Sequence, residues 1–129
     1  REQRVCRLCA GGHVEDLLHV LLQCPAVALA RQRWRHRIHA AATAEHLTQL
    51  LQLHAPTAAD HVTLGLGLWP AQWRPLPVRQ QAVRRLLRAA MHATHELVRA
   101  FSRRLAAAAS PRATAAAPII PRLTRSATH

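Results

Sequence analysis

Three cysteines and one histidine near the start of the chain, Cys6-x2-Cys9-x9-His19-x4-Cys24, combine residue types and a spacing that suit one tetrahedral metal ion. Two residues between Cys6 and Cys9 allow a tight turn to aim both sulfurs at one point, the usual first half of a structural zinc site. Gly11-Gly12 then reverses the chain. Glu15 and Asp16 are expected in the first turn of a helix over residues 16–23, where their charge suits the helix dipole. His19 follows one turn later and can point back at the thiol pair. Pro25 disfavours α conformation at Cys24 and pre-sets φ for a new helix, so the fourth ligand is expected in a bend between two helices. Four protein ligands close the shell and leave no open position for water or substrate, which argues for a folding role and against metal-activated hydrolysis.

The same cysteines could instead form one disulfide plus a free thiol, or act as small buried hydrophobes. His13 competes with His19, but only three residues separate it from Cys9 and it would need a very tight loop. The remaining histidines have no partner cysteine, and no metal role is assigned to them.

Residues Val5-Cys6-Arg7-Leu8-Cys9-Ala10-Gly11 and Glu15-Asp16-Leu17-Leu18-His19-Val20-Leu21-Leu22-Gln23-Cys24-Pro25-Ala26 resemble the zinc-binding segment that lies C-terminal to the polymerase in non-LTR retrotransposon reverse transcriptases. The shared pattern is C-x-L-C-G, then E-x-x-x-H-L-L-x-x-C-P, then an arginine-rich helix. Ala10 replaces the more common glycine, and Leu21-Leu22 are displaced from the pair that usually follows the histidine. The likeness covers about residues 4–37. It implies Zn2+ as the metal and an upstream reverse transcriptase domain of the same polyprotein as a partner. It also implies a contribution to holding nucleic acid during target-primed reverse transcription.

Polymerase chemistry needs clustered acids for its metal ions. The carboxylates here are Glu2, Glu15, Asp16, Glu45, Asp60 and Glu96, scattered along the chain. The chain is therefore expected not to be an enzyme, and any catalytic domain of its parent would lie outside these residues. Opening at Arg1 and reaching the cysteines within five residues, it reads as the tail of a longer product.

Half of the residues are apolar, but 26 of the 129 are alanine, which buries little area per residue. A modest core is expected, and metal binding would add folding free energy, about 10–16 kcal/mol in small finger peptides. No apolar run approaches the length of a membrane span, and no secretory signal opens the chain. The cysteines suit a reducing intracellular compartment, nucleus or cytoplasm.

A formal charge of +12 predicts attraction to RNA or DNA through counterion release, electrostatic and non-specific. All eighteen basic residues are arginine, and lysine, asparagine and tyrosine are absent, a bias that a GC-rich coding sequence would also produce. Arg31, Arg33, Arg35 and Arg37 are the candidate nucleic-acid contacts. At about 100° per residue they fan around a helix and do not form one stripe, and a solvated helix surface is the plainer reading. Trp34 could stack on a base or pack against neighbouring elements.

These groups require elements to hold them. The pattern predicts an all-α fold: a small zinc-stabilised helical unit, a long amphipathic helix and a disordered tail. The expected division is a zinc-binding segment with its arginine-rich helix over 1–42, a helical region over 43–109 and a basic tail over 110–129. Pro25 opens a helix to about residue 42, and Thr43 to His46 offer a capping start for another over 44–53. Residues 57–68 alternate Val62, Leu64, Leu66 and Leu68 as a strand would, while Gly65 and Gly67 weaken strand and helix alike; a short helix or loop is the favoured reading. Residues 69–77 read as a proline-punctuated hinge whose two tryptophans cover an apolar face. Residues 78–108 place Val83, Leu86, Leu87, Ala90, Met91, Thr94, Leu97, Val98, Phe101 and Leu105 on one helical face. That face is expected to pack on the chain's own helices, ahead of a missing domain or a membrane surface.

The functional expectation is a non-catalytic, zinc-binding, nucleic-acid-binding module from the C-terminal end of a retroelement reverse transcriptase. The alternative is a decayed or partial reading frame, acting as a zinc-stabilised helical interaction domain.

Overall fold

Backbone pairing and capping set the first elements. In the computed structural model, which describes residues 4–53 and 57–109, Val5 and Val14 form an isolated antiparallel bridge. Cys6 N–H donates to His13 O at 2.8 Å, and Glu15 N–H to Arg4 O at 2.7 Å. Gly12 closes this hairpin at φ 72°, in the left-handed region where a side chain would be strained.

Helix α1 (Leu17–Leu22) starts at Asp16, whose carboxylate accepts the N–H of His19 at 2.8 Å. Asp16 is thus the cap that precedes the helix and does not sit in its first turn. Glu15 also lies outside the helix. It accepts from the backbone N–H of Arg7 at 3.0 Å and from its guanidinium at 2.8 Å, clamping the hairpin. Arg7 holds the Glu15 carboxyl below its usual range, against the opposing effect of burial.

A 3-10 turn, Pro25–Val27, leads into α2 (Ala28–Ala44), close to the expected limits. The expected helix start at residues 43–46 is not realised. Thr43 Oγ1 donates back to His39 O at 3.0 Å, so it continues α2 and does not cap a new helix. His46 then turns the chain at φ 60°, and α3 (Thr48–Leu53) follows.

Residues 57–68 resolve as a helix, α4 (Ala58–Gly65), not a strand. Its start is a reciprocal capping pair: Asp60 N–H donates to Thr57 Oγ1 at 3.2 Å, and Thr57 N–H to Asp60 Oδ2 at 2.8 Å. The alternating Leu66 and Leu68 lie beyond the helix and are exposed.

The expected hinge at 69–77 is a packed plug. Trp73 is fully buried in a 3-10 turn, Ala71–Trp73, with Trp69 edge-on to it at 5.2 Å. Gln72 Nε2 donates to Asp60 Oδ1 at 2.7 Å and ties the segment to α4.

Helix α5 (Gln80–Ala109) runs antiparallel to α2, with Arg85 bonded to Glu45 at one end and Thr94 bonded to Trp34 further along. Val83, Leu86, Ala90, Thr94, Leu97 and Phe101 are buried as the periodicity predicts, and Ala82 and Ala93 join them. Met91, placed on the same face from sequence, is about half exposed, 51%. The apolar face therefore packs on the chain's own α2 and α4.

One hydrophobic cluster runs from Cys6, Val20 and Leu21 through Trp34 and Ile38 to Leu97 and Phe101. Small residues set its thickness. A Cβ at Gly65 would collide with Thr94 Oγ1 and crowd the indole of Trp34, so glycine lets α4 approach both neighbours. Among the described residues there is no strand, and no helix is long and apolar enough to cross a membrane. The expected tail, 110–129, lies outside the described residues.

Candidate metal centre

The hairpin, α1 and the bend after it bring four donors together. Cys6 and Cys9 come from the hairpin and His19 from the middle of α1. Cys24 comes from extended backbone, φ −63° and ψ 114°, just before Pro25. Their donor atoms all lie within 4.8 Å of one another. Cys6 Sγ is 3.9 Å from Cys24 Sγ, and Cys9 Sγ is 3.4 Å from His19 Nε2. Cys6, His19 and Cys24 are buried and Cys9 is half-buried. All three thiols are free, so the disulfide alternative is not realised.

His19 and Cys24 are held from behind. His19 Nδ1 lies 3.3 Å from Gln23 Oε1, one turn further along. A neutral imidazole with its proton on Nδ1 donates there and leaves the Nε2 lone pair facing the thiols. The same His19 offers its carbonyl to the N–H groups of Gln23 and Cys24, both at 2.8 Å, which turns the chain so that Cys24 faces back.

Electrostatics separate the thiols. Burial pushes the Cys6 thiol up, but N–H groups of Leu8 and Cys9 and the side chains of His19 and Cys9 outweigh it and lower Cys6 to about 7. Burial, reinforced by the neighbouring sulfurs, pushes Cys24 up to about 11. Left alone, the cluster resists placing several negative sulfurs side by side. A divalent cation among them reverses that logic, because a coordinated thiol gives up its proton. With three sulfurs and one nitrogen the arrangement can hold one metal ion and so tie hairpin, helix and bend together.

His13 stays outside this set. It is exposed, its ring centroid 5.2 Å from that of His19.

The four arginines proposed as nucleic-acid contacts do not share one environment. Arg31 is buried, 7% exposed, and its guanidinium donates to Val20 O at 3.1 Å and to Cys24 O. It is not a surface contact. Burial lowers its pKa, and nearby Arg35 adds to the effect. Arg33, Arg35 and Arg37 are exposed, with Arg33 and Arg37 bordering a groove against α5. Helical arithmetic separates Arg31 from Arg33 and Arg37, though not from its exposed neighbour Arg35. Positions four apart lie about 40° from each other, so 31 pairs with 35 and 33 pairs with 37 on roughly opposite sides. Trp34 is buried, 1% exposed, and donates its indole N–H to Thr94 Oγ1 at 2.9 Å, so it is packed and not a stacking platform.

Several contributors went unread in the sequence. The position of Gln23, four residues after His19, was a usable sign of its orienting role. For the Arg7–Glu15 clamp and for Arg103 and Arg104 across the groove from α2, no local pattern pointed the way, because each depends on tertiary placement. No protein family, no curated protein and no solved structure matches this chain.

Proposed function

We propose that the chain is a non-catalytic zinc-binding module that contacts nucleic acid, of the kind found at the C-terminal end of non-LTR retrotransposon reverse transcriptases. The observation that carries the reading is the donor spacing. Zinc–sulfur bonds of about 2.3 Å and zinc–nitrogen bonds of about 2.0 Å in a tetrahedron put the sulfurs roughly 3.8 Å apart and sulfur and nitrogen roughly 3.5 Å apart. The two pairs measured here, 3.9 and 3.4 Å, fit those edges. Soft thiolate ligands with one imidazole favour Zn2+ over hard, oxygen-loving cations. The ligand shell is full, so the ion acts through folding and offers no site for chemistry on a substrate.

Support for the nucleic-acid part comes from the net charge of +12 and from exposed arginines on α2 beside the metal centre. The reducing compartments where thiolate–zinc sites persist, nucleus or cytoplasm, suit both parts of the reading. Elemental analysis of the purified chain should give one zinc per molecule. Affinity for duplex or single-stranded nucleic acid should fall steeply between low and physiological salt. A chain that takes up no metal, or one that shows no salt-dependent binding, defeats the corresponding half.

A further inference from the structure

Six acids balance eighteen arginines in this chain, and the five described acids are already engaged. Glu15 holds Arg7, Glu45 holds Arg85, and Glu96 faces His92 at 3.9 Å. Asp16 and Asp60 cap helices. Among the described residues only Arg7 and Arg85 pair with an acid, and of the remaining arginines four, Arg33, Arg37, Arg103 and Arg104, line the grooves between α2 and α5. These four are not scattered. Arg33 and Arg37 lie one turn apart on α2; Arg103 on α5 lines one groove with both, and Arg103 and Arg104 line a second, adjoining one with Arg33.

Between them runs a groove of about 310 Å³ that opens into a second of about 560 Å³ toward Pro25. Its apolar lining is Ala30 and Trp34 on α2 and Ala93, Leu97 and Ala100 on α5. Glu96, on α5 at about the level of Arg33, also lines the first groove and is the one acid among these arginines.

We propose that the α2–α5 groove is the seat of a phosphodiester backbone, gripped by these four arginines and read without its bases. The proposal rests on the nucleic-acid reading above and adds the site and the part of the ligand that is recognised. Guanidinium groups suit phosphate because their planar forks donate two parallel hydrogen bonds to its oxygens. The alanines of the lining keep the walls low enough for a backbone to settle between them. The same groove is poorly equipped to read bases: its lining carries no amide, its one exposed aromatic ring is the His36 imidazole, and Trp34 beneath it is buried and bonded to Thr94. Unpaired bases gain affinity by stacking on successive aromatic rings, of which this groove exposes only His36, whereas duplex backbones need only placed positive charge.

The test compares two full-length quadruple variants with equal charge loss. One is Arg33→Gln, Arg37→Gln, Arg103→Gln and Arg104→Gln. The other removes exposed arginines elsewhere: Arg74→Gln, Arg79→Gln, Arg84→Gln and Arg88→Gln. The probes are a short DNA duplex, the matching RNA duplex and the single strands, each titrated across a salt series. Zinc content and circular dichroism confirm the fold of each variant.

The groove variant is expected to flatten the slope of log affinity against log salt by roughly three to four for a duplex, about 0.9 for each phosphate that is no longer neutralised. The second variant should retain most of the slope. As an independent readout, phenylglyoxal modification of the wild-type chain should spare Arg33, Arg37, Arg103 and Arg104 when duplex is present. Equal losses in both variants, with no selective protection, would overturn the groove while leaving nucleic-acid binding intact. Unchanged binding in the groove variant would overturn it too, and leave an acidic-faced protein helix as the occupant to seek. A clear preference for particular single strands would defeat the claim that bases are ignored. If the wild-type chain binds no nucleic acid at low salt, the functional reading falls together with the groove.

Discussion

The guanidinium of Arg31 on α2 donates to the backbone carbonyl of Cys24, a metal-centre residue seven positions earlier in the chain. It also reaches Val20 O at 3.1 Å, near the C-terminal end of α1, where a positive charge suits the helix dipole. One buried side chain thus satisfies carbonyls on both sides of the bend that presents the fourth ligand, and it fixes the orientation of α2 relative to the centre. The arginine-bearing helix and the candidate metal site are mechanically one unit.

Arg31→Ala should therefore weaken both metal binding and folding, although Arg31 ligates nothing. Two buried carbonyls would lose their donor, at about 1–3 kcal/mol each if left unsatisfied. Partners behind a ligand commonly change metal affinity by roughly 10- to 100-fold. Competition with a chromophoric chelator measures the affinity and thermal unfolding the stability. An Arg31→Ala protein that matches wild type in both would show that the link is incidental.

Metal retention should identify the ligand set. His19→Ala is expected to lose the ion, and His13→Ala to keep it, since His13 is exposed and outside the four donors. Cobalt substitution should produce thiolate-to-metal absorption in the wild type and in His13→Ala only. The opposite pattern would exchange the roles of the two histidines.

Acid should release metal and N-terminal structure together, and the sign follows from proton counts. Bound thiolates carry no protons, whereas the released and unfolded thiols take them up, so stability is present at high pH and lost as pH falls. Cys6 points the same way without metal. Lowered to about 7 from an ordinary 9.0, it contributes stability above 9.0 that disappears as pH drops through about 7. Cys24, raised to about 11, acts oppositely and loses its contribution only as pH rises through that value. Far-ultraviolet circular dichroism and zinc release, followed in one titration, should share a midpoint. Zinc loss with no spectral change would refute the folding role.

Much of this centre was legible in its spacing. Cys6, Cys9, His19 and Cys24 converge because a two-residue gap, a glycine turn at Gly12 and a proline after Cys24 are local instructions. The long helix was equally readable, since a buried face repeats over 30 residues. What escaped were choices made by tertiary contact. Arg31 looks like its neighbours in sequence, yet one helical face turns it inward to two carbonyls. Thr43 could cap a helix forward or bond backward, and it bonds to His39. The short helix favoured for 57–68 over a strand did form: the Thr57–Asp60 cap starts it, and it buries Leu64 and leaves Leu66 and Leu68 outside.

The crossing of α2, α4 and α5 should be intolerant of added volume and of a lost hydroxyl. Thr94 Oγ1 accepts from Trp34 Nε1 at 2.9 Å and donates to Ala90 O at 2.9 Å, with Gly65 packed against both side chains. Thr94→Val keeps the shape but orphans the indole N–H, at a cost of about 1–3 kcal/mol. Gly65→Ala adds a methyl where the hydroxyl already sits, and overpacking of this kind costs about 1–3 kcal/mol. Because both changes act on one contact, their effects in the double variant should not add. Denaturant unfolding of the zinc-loaded single and double variants would show this, and strict additivity would mean that Gly65 and Thr94 do not share the site.

His61 should make folding sensitive to mild acid independently of the metal. It is buried on α4 against Trp34 and His39, and its Nδ1 lies 3.0 Å from Thr57 O. Its Nε2 is buried without a partner, so a second proton there would be unsatisfied. Burial depresses its pKa, opposed by the Thr57 carbonyl and assisted by His39 and Arg35. A depressed folded value means that the neutral ring contributes stability above its ordinary 6.5, and this is lost as pH falls through the lower folded value. His61→Phe keeps a ring in the cluster and removes the titration. Compared in the zinc-loaded state, its stability should decline less than that of wild type as pH is lowered below 6.5. Parallel declines would assign the acid sensitivity to other groups, the metal ligands first among them.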